Sequence, residues 1–97
     1  AGHDTKETLM AFLGMDVEQV QNLSRQLQQK ATDIDNIITT LNSTMQSTEW
    51  KGQDAEQFRN DWNSSLTQKL RQVSQSLKDA SSKASQNARE QQDISNR

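Results

Sequence analysis

The sequence predicts an all-α fold, an antiparallel two-helix hairpin that dimerises into a four-helix bundle. Three observations support this prediction. The 97 residues include no proline and only three glycines, so the residues that most often interrupt helices are nearly absent. Apolar residues recur at helical spacing in two long runs. One short break near the middle of the chain separates these runs, and so short a connection forces neighbouring helices to turn back antiparallel.

The first predicted helix covers about residues 17–48. Its apolar residues follow alternating steps of three and four, interrupted at Ser24, and Asp16 is suitably placed as the N-cap. Leu23 and Ile37 lie beside the main line and widen it into a stripe, which is typical of a helix that contacts more than one neighbour. The packing residues predicted for this helix are Val20, Leu23, Leu27, Ile34, Ile37, Ile38 and Leu41.

The second predicted helix covers about residues 54–92, with Asp54 as its N-cap. Three successive steps of four between Phe58 and Leu70 depart from a heptad, so we expect straighter or locally unwound packing there. Beyond Leu77 the stripe thins to alanines among serines, which bury little area each. The packing residues predicted for this helix are Phe58, Trp62, Leu66, Leu70, Val73 and Leu77.

The predicted turn covers residues 49–53 and contains Trp50 and Gly52. Gly52 is predicted to be the hinge, because glycine allows the positive φ that ends the first helix at little energetic cost. Residues 1–15 are predicted to form an N-terminal arm, of which residues 1–3 are interpreted as a remnant of an expression tag. Residues 93–97 are predicted to form a flexible tail.

Two paired helices of this length shield each other on one side only, so the widened stripe stays partly open. A second hairpin that covers the open side would complete a four-helix bundle. We therefore expect the chain to dimerise.

Composition argues against several classes of function. The net charge of −2 is too small to hold nucleic acid or an anionic membrane through a basic surface. There is no cysteine, and the single histidine, His3, lies near Asp4 and Glu7 at a terminus, so we expect no metal site. No phosphate-binding glycine loop or nucleophile with a base is evident, which predicts a protein that is not an enzyme and uses no cofactor.

No stretch is apolar over the roughly 20 residues that a membrane span needs. The one compact apolar run, "LMAFLGM" at residues 9–15, is about as short as the apolar core of a signal peptide can be. Asp4 and Glu7 precede it where a signal peptide is basic. We therefore expect no integral membrane segment and no cleaved signal peptide.

The Trp50-Lys51-Gly52 tripeptide at the bend, followed by Ala55, Phe58 and Trp62, carries a family resemblance. The chain resembles the WXG-100 (ESAT-6-like) family of type VII secretion substrates in Gram-positive bacteria and mycobacteria. The resemblance covers residues 15 to about 88, and the ending "ASQNAREQQDISNR" looks most like actinobacterial members.

This resemblance implies a non-enzymatic hairpin that forms a homodimer, or a heterodimer with another protein of this type. It implies synthesis and folding in the cytoplasm, then export to the medium or the cell surface without a cleaved signal peptide. A secretion ATPase and possible larger substrates or toxins are the implied further partners. Trp50 and Gly52 are the implied motif, with Trp50 near the C-terminal segment of the partner.

The sequence departs from the family in one respect. In the family, a C-terminal Tyr followed after three residues by Asp or Glu completes the export signal, but this chain contains no tyrosine. At the matching spacing, Gln86 precedes Glu90 and Arg89 precedes Asp93. Two explanations stay open: the partner supplies the tyrosine, or the sequence lacks part of the natural tail.

Two further alternatives remain at this level. Trp50 either caps the end of the hairpin only, or caps it and also forms a groove for the tail of a partner. The protein is either an exported substrate and adaptor, or an intracellular coiled-coil escort that covers the helical region of a larger toxin or secreted protein. Both functions would use the same apolar stripe.

Overall fold

The computed structural model describes residues 14–96, and side chains through residue 94. Helix α1 spans Val17–Ser47, and a second helical run follows without a break in three parts. These parts are helix α2 (Gln53–Asp61), a π-helical turn (Trp62–Leu66) and helix α3 (Thr67–Asn96). The described residues contain no β-strand, which agrees with the predicted all-α class. The predicted N-terminal arm lies outside the described residues except for its last two positions.

Helix α1 begins as the sequence predicts. The backbone N–H of Gln19 donates to Asp16 Oδ1 at 3.1 Å, and the N–H of Val20 donates to the carbonyl of Asp16 at 3.0 Å. Asp16 therefore satisfies N–H groups that the first turn of a helix otherwise leaves unpaired. The helix ends at Ser47, one residue before the predicted end.

The second helical run begins differently from the prediction. Gly52, not Asp54, occupies the N-cap position, and no side chain caps the helix. The N–H of Glu56 donates to the Gly52 carbonyl at 3.1 Å. Asp54 falls instead in the first turn, where its carboxylate is favourable beside the positive end of the helix dipole. At the other end the helix continues through Asn96, so residues 93–96, predicted to be a tail, are helical.

Gly52 has the positive φ that the sequence predicts, but in a different role. Its φ of 114° and ψ of 177° start the return helix rather than end α1. This combination is accessible almost only to glycine.

Replacement of Gly52 by L-alanine should therefore destabilise the protein by about 1–3 kcal/mol through backbone strain. No atom lies within 4 Å of the position that a Cβ would take, so a steric clash contributes nothing. D-alanine at the same position, introduced by chemical synthesis, favours positive φ and should keep the wild-type free energy of unfolding in urea. Equal losses for the two enantiomers would contradict the backbone explanation.

The chain forms two compact units, each of which takes part of α1 and part of the second helical run. The central unit is Gln29–Leu77, and the described part of the terminal unit combines residues 14–28 with residues 78–96. In the central unit, Asn42 contacts Trp62 and Ala31 contacts Ser74, so residue numbers fall on one segment as they rise on the other. This unit is therefore an antiparallel helical hairpin. In the terminal unit, Met15 contacts Gln91 and Ser24 contacts Ser81, which is also antiparallel.

Small residues supply most of the buried positions in both units. The buried seam of the central unit consists of Ala31, Ile38, Ala55, Trp62, Thr67 and Ser74. The buried seam of the terminal unit consists of Val17, Ser24, Ser81, Ala88 and Gln91. Small side chains along a contact line allow two helix backbones to approach closely.

Ser24 interrupts the line of apolar residues but not the packing, because it is buried and bonded across the terminal unit. Its hydroxyl donates to the carbonyl of Ser81 at 2.8 Å, and the Ser81 hydroxyl donates to the carbonyl of Ser24 at 2.7 Å. This reciprocal pair removes the cost of burying two hydroxyl groups without partners.

The π-helical turn lies between Phe58 and Leu70, in the stretch where the apolar spacing departs from a heptad. Both the backbone N–H and the hydroxyl of Thr67 donate to the Trp62 carbonyl, the hydroxyl at 2.6 Å. The Ser64 hydroxyl donates to the Asn60 carbonyl, also at 2.6 Å. The turn accommodates one residue more than an α-helix would, and it brings both Trp62 and Thr67 into the buried seam.

Candidate partner-binding site

Trp50 lies in the short connection between α1 and α2, at the end of the central unit. Its side chain is 45% exposed. A surface cleft beside it is lined by Gln46 and Ser47 at the end of α1, by Arg59 of α2 and by residues of the connection, namely Thr48, Glu49, Trp50 and Lys51. The arrangement offers an exposed aromatic ring beside groups of both charges.

The ring of Trp50 is the first of three neighbouring aromatic side chains, which we call the aromatic row: Trp50, Phe58 and Trp62. The ring centroids of Trp50 and Phe58 are 6.0 Å apart, and those of Phe58 and Trp62 are 6.5 Å apart with nearly parallel planes. Trp62 is buried, and its Nε1–H donates to Asn42 Oδ1 at 2.6 Å. The row therefore runs from an anchored, buried indole to an exposed one.

A second feature of the central unit is a set of large apolar side chains that its own seam does not cover. We call this set the apolar face: Ile37, Leu41, Phe58, Leu66 and Val73. Ile37 and Val73 are the most open, with 48% and 49% of their surface exposed. A groove on α1 is lined by Ile37 and Leu41 together with Asp33, Asn36 and Thr40.

The members of the apolar face lie on the same side of the central hairpin. Ile37, Leu66 and Val73 each directly precede a buried seam residue, namely Ile38, Thr67 and Ser74. Each is therefore rotated by about 100° from the seam in the same sense. In an antiparallel pair of right-handed helices, equal rotations away from the contact line lead to the same side. The central unit thus has one continuous apolar side.

The predicted packing residues divide into three groups. Only Ile38 and Trp62 are buried. Val20, Leu27, Ile34, Leu70 and Leu77 are half-buried. The exposed group contains Leu23 and Ile37, which the sequence predicts to stay partly open, and also Leu41, Phe58, Leu66 and Val73.

Several residues that hold these features in place are not predicted by the sequence pattern. Thr67, Ser74 and Ser81 are buried although they are polar, and Asn42 and Arg59 bond to the aromatic row or its connection. The Ser74 hydroxyl donates to Asp35 Oδ1 at 2.8 Å and lies 3.2 Å from the Ala31 carbonyl. One signal was available: Thr67, Ser74, Ser81 and Ala88 recur every seven residues.

The described residues were also compared with the requirements of a metal site and of a membrane-spanning helix. Within residues 14–96, no group of three or more His, Cys, Asp or Glu side chains is arranged to hold a metal ion. His3, Asp4 and Glu7 lie outside the described residues. No helix in the described part of the chain combines the length and apolarity that crossing a membrane requires.

Comparison of the chain with protein-family models, with curated proteins and with solved structures gives no match.

Proposed function

We propose that this chain is a non-enzymatic helical-hairpin protein of the WXG type, a substrate and adaptor of a type VII secretion system. The observation that carries the proposal is the position of Trp50-Lys51-Gly52. The tripeptide forms the connection between two antiparallel helices, with the Trp50 indole half exposed on an anchored aromatic row. Exposed but fixed aromatic residues are typical anchors of protein interfaces.

Dimer formation is the second part of the proposal. The apolar face supports it, because five large apolar side chains on one side of a small hairpin are unfavourable in water. A second copy related by a twofold axis would cover this face with the same face, which is the commonest form of protein dimer. The result would be a four-helix bundle.

In this proposal the protein folds in the cytoplasm, pairs there, and leaves through the secretion ATPase without a cleaved signal peptide. The 97 residues contain no tyrosine. Of the two explanations given above, we propose the first: a partner that is exported together with this chain carries the tyrosine-bearing part of the export signal. Trp50 then serves as the groove residue for the tail of that partner.

The test is replacement of Trp50 by alanine in a host that exports the protein. We expect co-export of the partner to be lost, with a fall in unfolding free energy of only about 1 kcal/mol, because the lost contact is one half-exposed aromatic pair. Gln68→Ala, at an exposed position of α3 outside the cleft, is the control and should be exported normally. Export should also stop in a host without the secretion ATPase.

Two results would contradict the proposal. If Trp50→Ala unfolds the hairpin, Trp50 serves as a structural cap. If the wild-type protein stays in the cytoplasm bound to a larger protein, the escort function is supported instead.

A further inference from the structure

The connection that carries Trp50 is held at its beginning by bonds to the end of α1. The Ser47 and Thr48 hydroxyls both donate to the carbonyl of Thr44, at 3.1 and 2.5 Å. These bonds satisfy a carbonyl that the last turn of a helix leaves unpaired. They fix the start of the connection, but they leave the backbone at Trp50 without support from α1.

Arg59 supplies support from the other side. Its Nη2 donates to the backbone carbonyl of Trp50 at 2.7 Å, from a position nine residues later in the chain. The bond uses the main chain of Trp50 and leaves its indole exposed. A charged donor makes this a stronger hydrogen bond than one between two neutral groups.

The aromatic row restrains the ring of the same residue. The Phe58 ring lies 6.0 Å from the Trp50 ring and 6.5 Å from the Trp62 ring, measured between centroids. Arg59 directly follows Phe58 on α2, so adjacent residues restrain the ring and the backbone of Trp50. An exposed tryptophan whose ring and backbone are both restrained loses little conformational entropy when a partner binds it.

We infer that Arg59 is a positioning residue, which fixes the Trp50 backbone so that the indole is presented in one orientation to a partner. The partner role rests on the proposed function, whereas the fixing of Trp50 is a property of the folded chain alone. Arginine suits this position because its planar guanidinium keeps a defined geometry when it bonds, and a lysine ammonium on a flexible stem does not.

The experiment measures the mobility of both tryptophans in the full chain, through ¹⁵N relaxation of their indole N–H groups. In Arg59→Gln, we expect the heteronuclear NOE of Trp50 to fall to values typical of a flexible group, which reports picosecond to nanosecond motion. The NOE of Trp62 should stay unchanged, because its N–H is bonded to Asn42. Trp62 is therefore an internal control within the same sample.

Two further variants separate positioning from a general effect. Arg71→Gln, an exposed arginine on α3, should leave both tryptophans unchanged. Arg59→Lys retains a charged donor and should restore part of the Trp50 NOE. If Trp50 keeps its wild-type NOE in Arg59→Gln, the inference is overturned.

Partner binding provides the second readout. Arg59→Gln should weaken capture of the co-exported partner about fivefold, the effect of leaving one large side chain to be ordered on binding. A fall in the Trp50 NOE with unchanged capture would support the positioning role and would overturn the partner role proposed for Trp50. The NOE therefore tests the positioning role of Arg59, and partner capture separately tests the partner role of Trp50.

Discussion

Deletion of Ser64 should leave the protein folded, whereas deletion of Gln72 from the regular helix that follows should unfold it. Both residues are exposed, and neither deletion removes a buried side chain. The expected difference comes only from where the deleted residue lies relative to the π-helical turn, Trp62–Leu66.

The reason is the rotation that each deletion causes. In an α-helix, removal of one residue turns everything beyond it by about 100° relative to everything before it. Deletion of Gln72 would therefore turn Ser74 away from the seam while Thr67 stays in it. The bonds of Ser74 to Asp35 and to the Ala31 carbonyl would be lost.

Deletion of Ser64, in contrast, removes one residue from the π-helical turn, which contains one residue more than an α-helical turn. Trp62 and Thr67 are five residues apart, and both are buried. Without Ser64 they would be four apart, the spacing that places two residues on one face of an ordinary α-helix. The turn would close into regular α-helix, and the central seam would keep its register.

Circular dichroism at 222 nm during thermal unfolding provides the measurement. We expect the Ser64 deletion to change the unfolding free energy by less than about 1.5 kcal/mol, the range of most tolerated changes. The Gln72 deletion should abolish the cooperative transition, because its effect approaches the whole stability of a small domain, about 5 kcal/mol. Loss of the transition in both variants would show that the π-helical turn is required for folding and is not a simple insertion.

The same turn explains why the sequence predicted the helices better than their contacts. Helix positions follow from local signals, and Asp16 as the first N-cap is confirmed by its bond to Gln19. The sequence predicts Asp54 as the second N-cap because Asp54 and Gln57 have the spacing of a capping box. The extended ψ of Gly52 could not be anticipated, and it moves the cap two residues earlier.

Contacts between helices depend on register, and register is sensitive to a single extra residue. The three steps of four between Phe58 and Leu70 predict a departure from heptad packing in this stretch, but they do not predict that the helix contains an extra residue. The π-helical turn shifts the seam to Thr67 and Ser74, and Leu66 becomes exposed while Leu70 stays half-buried. In this turn the Thr67 and Ser64 hydroxyls donate to the carbonyls of Trp62 and Asn60, and hydrophobic spacing does not predict these bonds.

Buried polar residues are a second feature that the sequence pattern does not predict. A serine usually indicates solvent exposure, but Ser24 and Ser81 are buried because each hydroxyl bonds to the carbonyl of the other residue. Such pairing requires the two serines to lie opposite each other on two antiparallel helices. The apolar pattern of one helix does not predict which residue of the other helix lies opposite. For the candidate site, the motif predicts Trp50 and Gly52, whereas the bonds of Arg59 and Asn42 join residues nine and twenty positions apart, which no local pattern predicts.

The apolar face predicts the oligomeric state of the protein. The wild-type protein should sediment as a dimer at micromolar concentration, and Ile37→Glu with Val73→Glu should make it a folded monomer. Both side chains are about half exposed in the single chain, so glutamate there does not enter the seam of the hairpin. Helix content by circular dichroism should therefore stay close to the wild-type value.

In a twofold dimer the same two substitutions appear on both copies, so four carboxylates would enter one apolar interface. Each buried charge without a partner costs several kcal/mol, and the like charges also repel one another. Ser43→Glu with Gln72→Glu is the matched control. It adds the same charge to the same two helices at exposed positions that point away from both the seam and the apolar face.

A dimeric control variant beside a monomeric Ile37/Val73 variant would assign the interface to the apolar face. A wild-type monomer at micromolar concentration would contradict self-association, and a dimeric Ile37/Val73 variant would place the interface on another surface. Because these substitutions leave the aromatic row and Arg59 intact, the folded monomer can also be tested for partner capture. Capture without dimerisation would mean that Trp50 and the apolar face act independently, whereas joint loss would mean that the dimer itself completes the groove at Trp50.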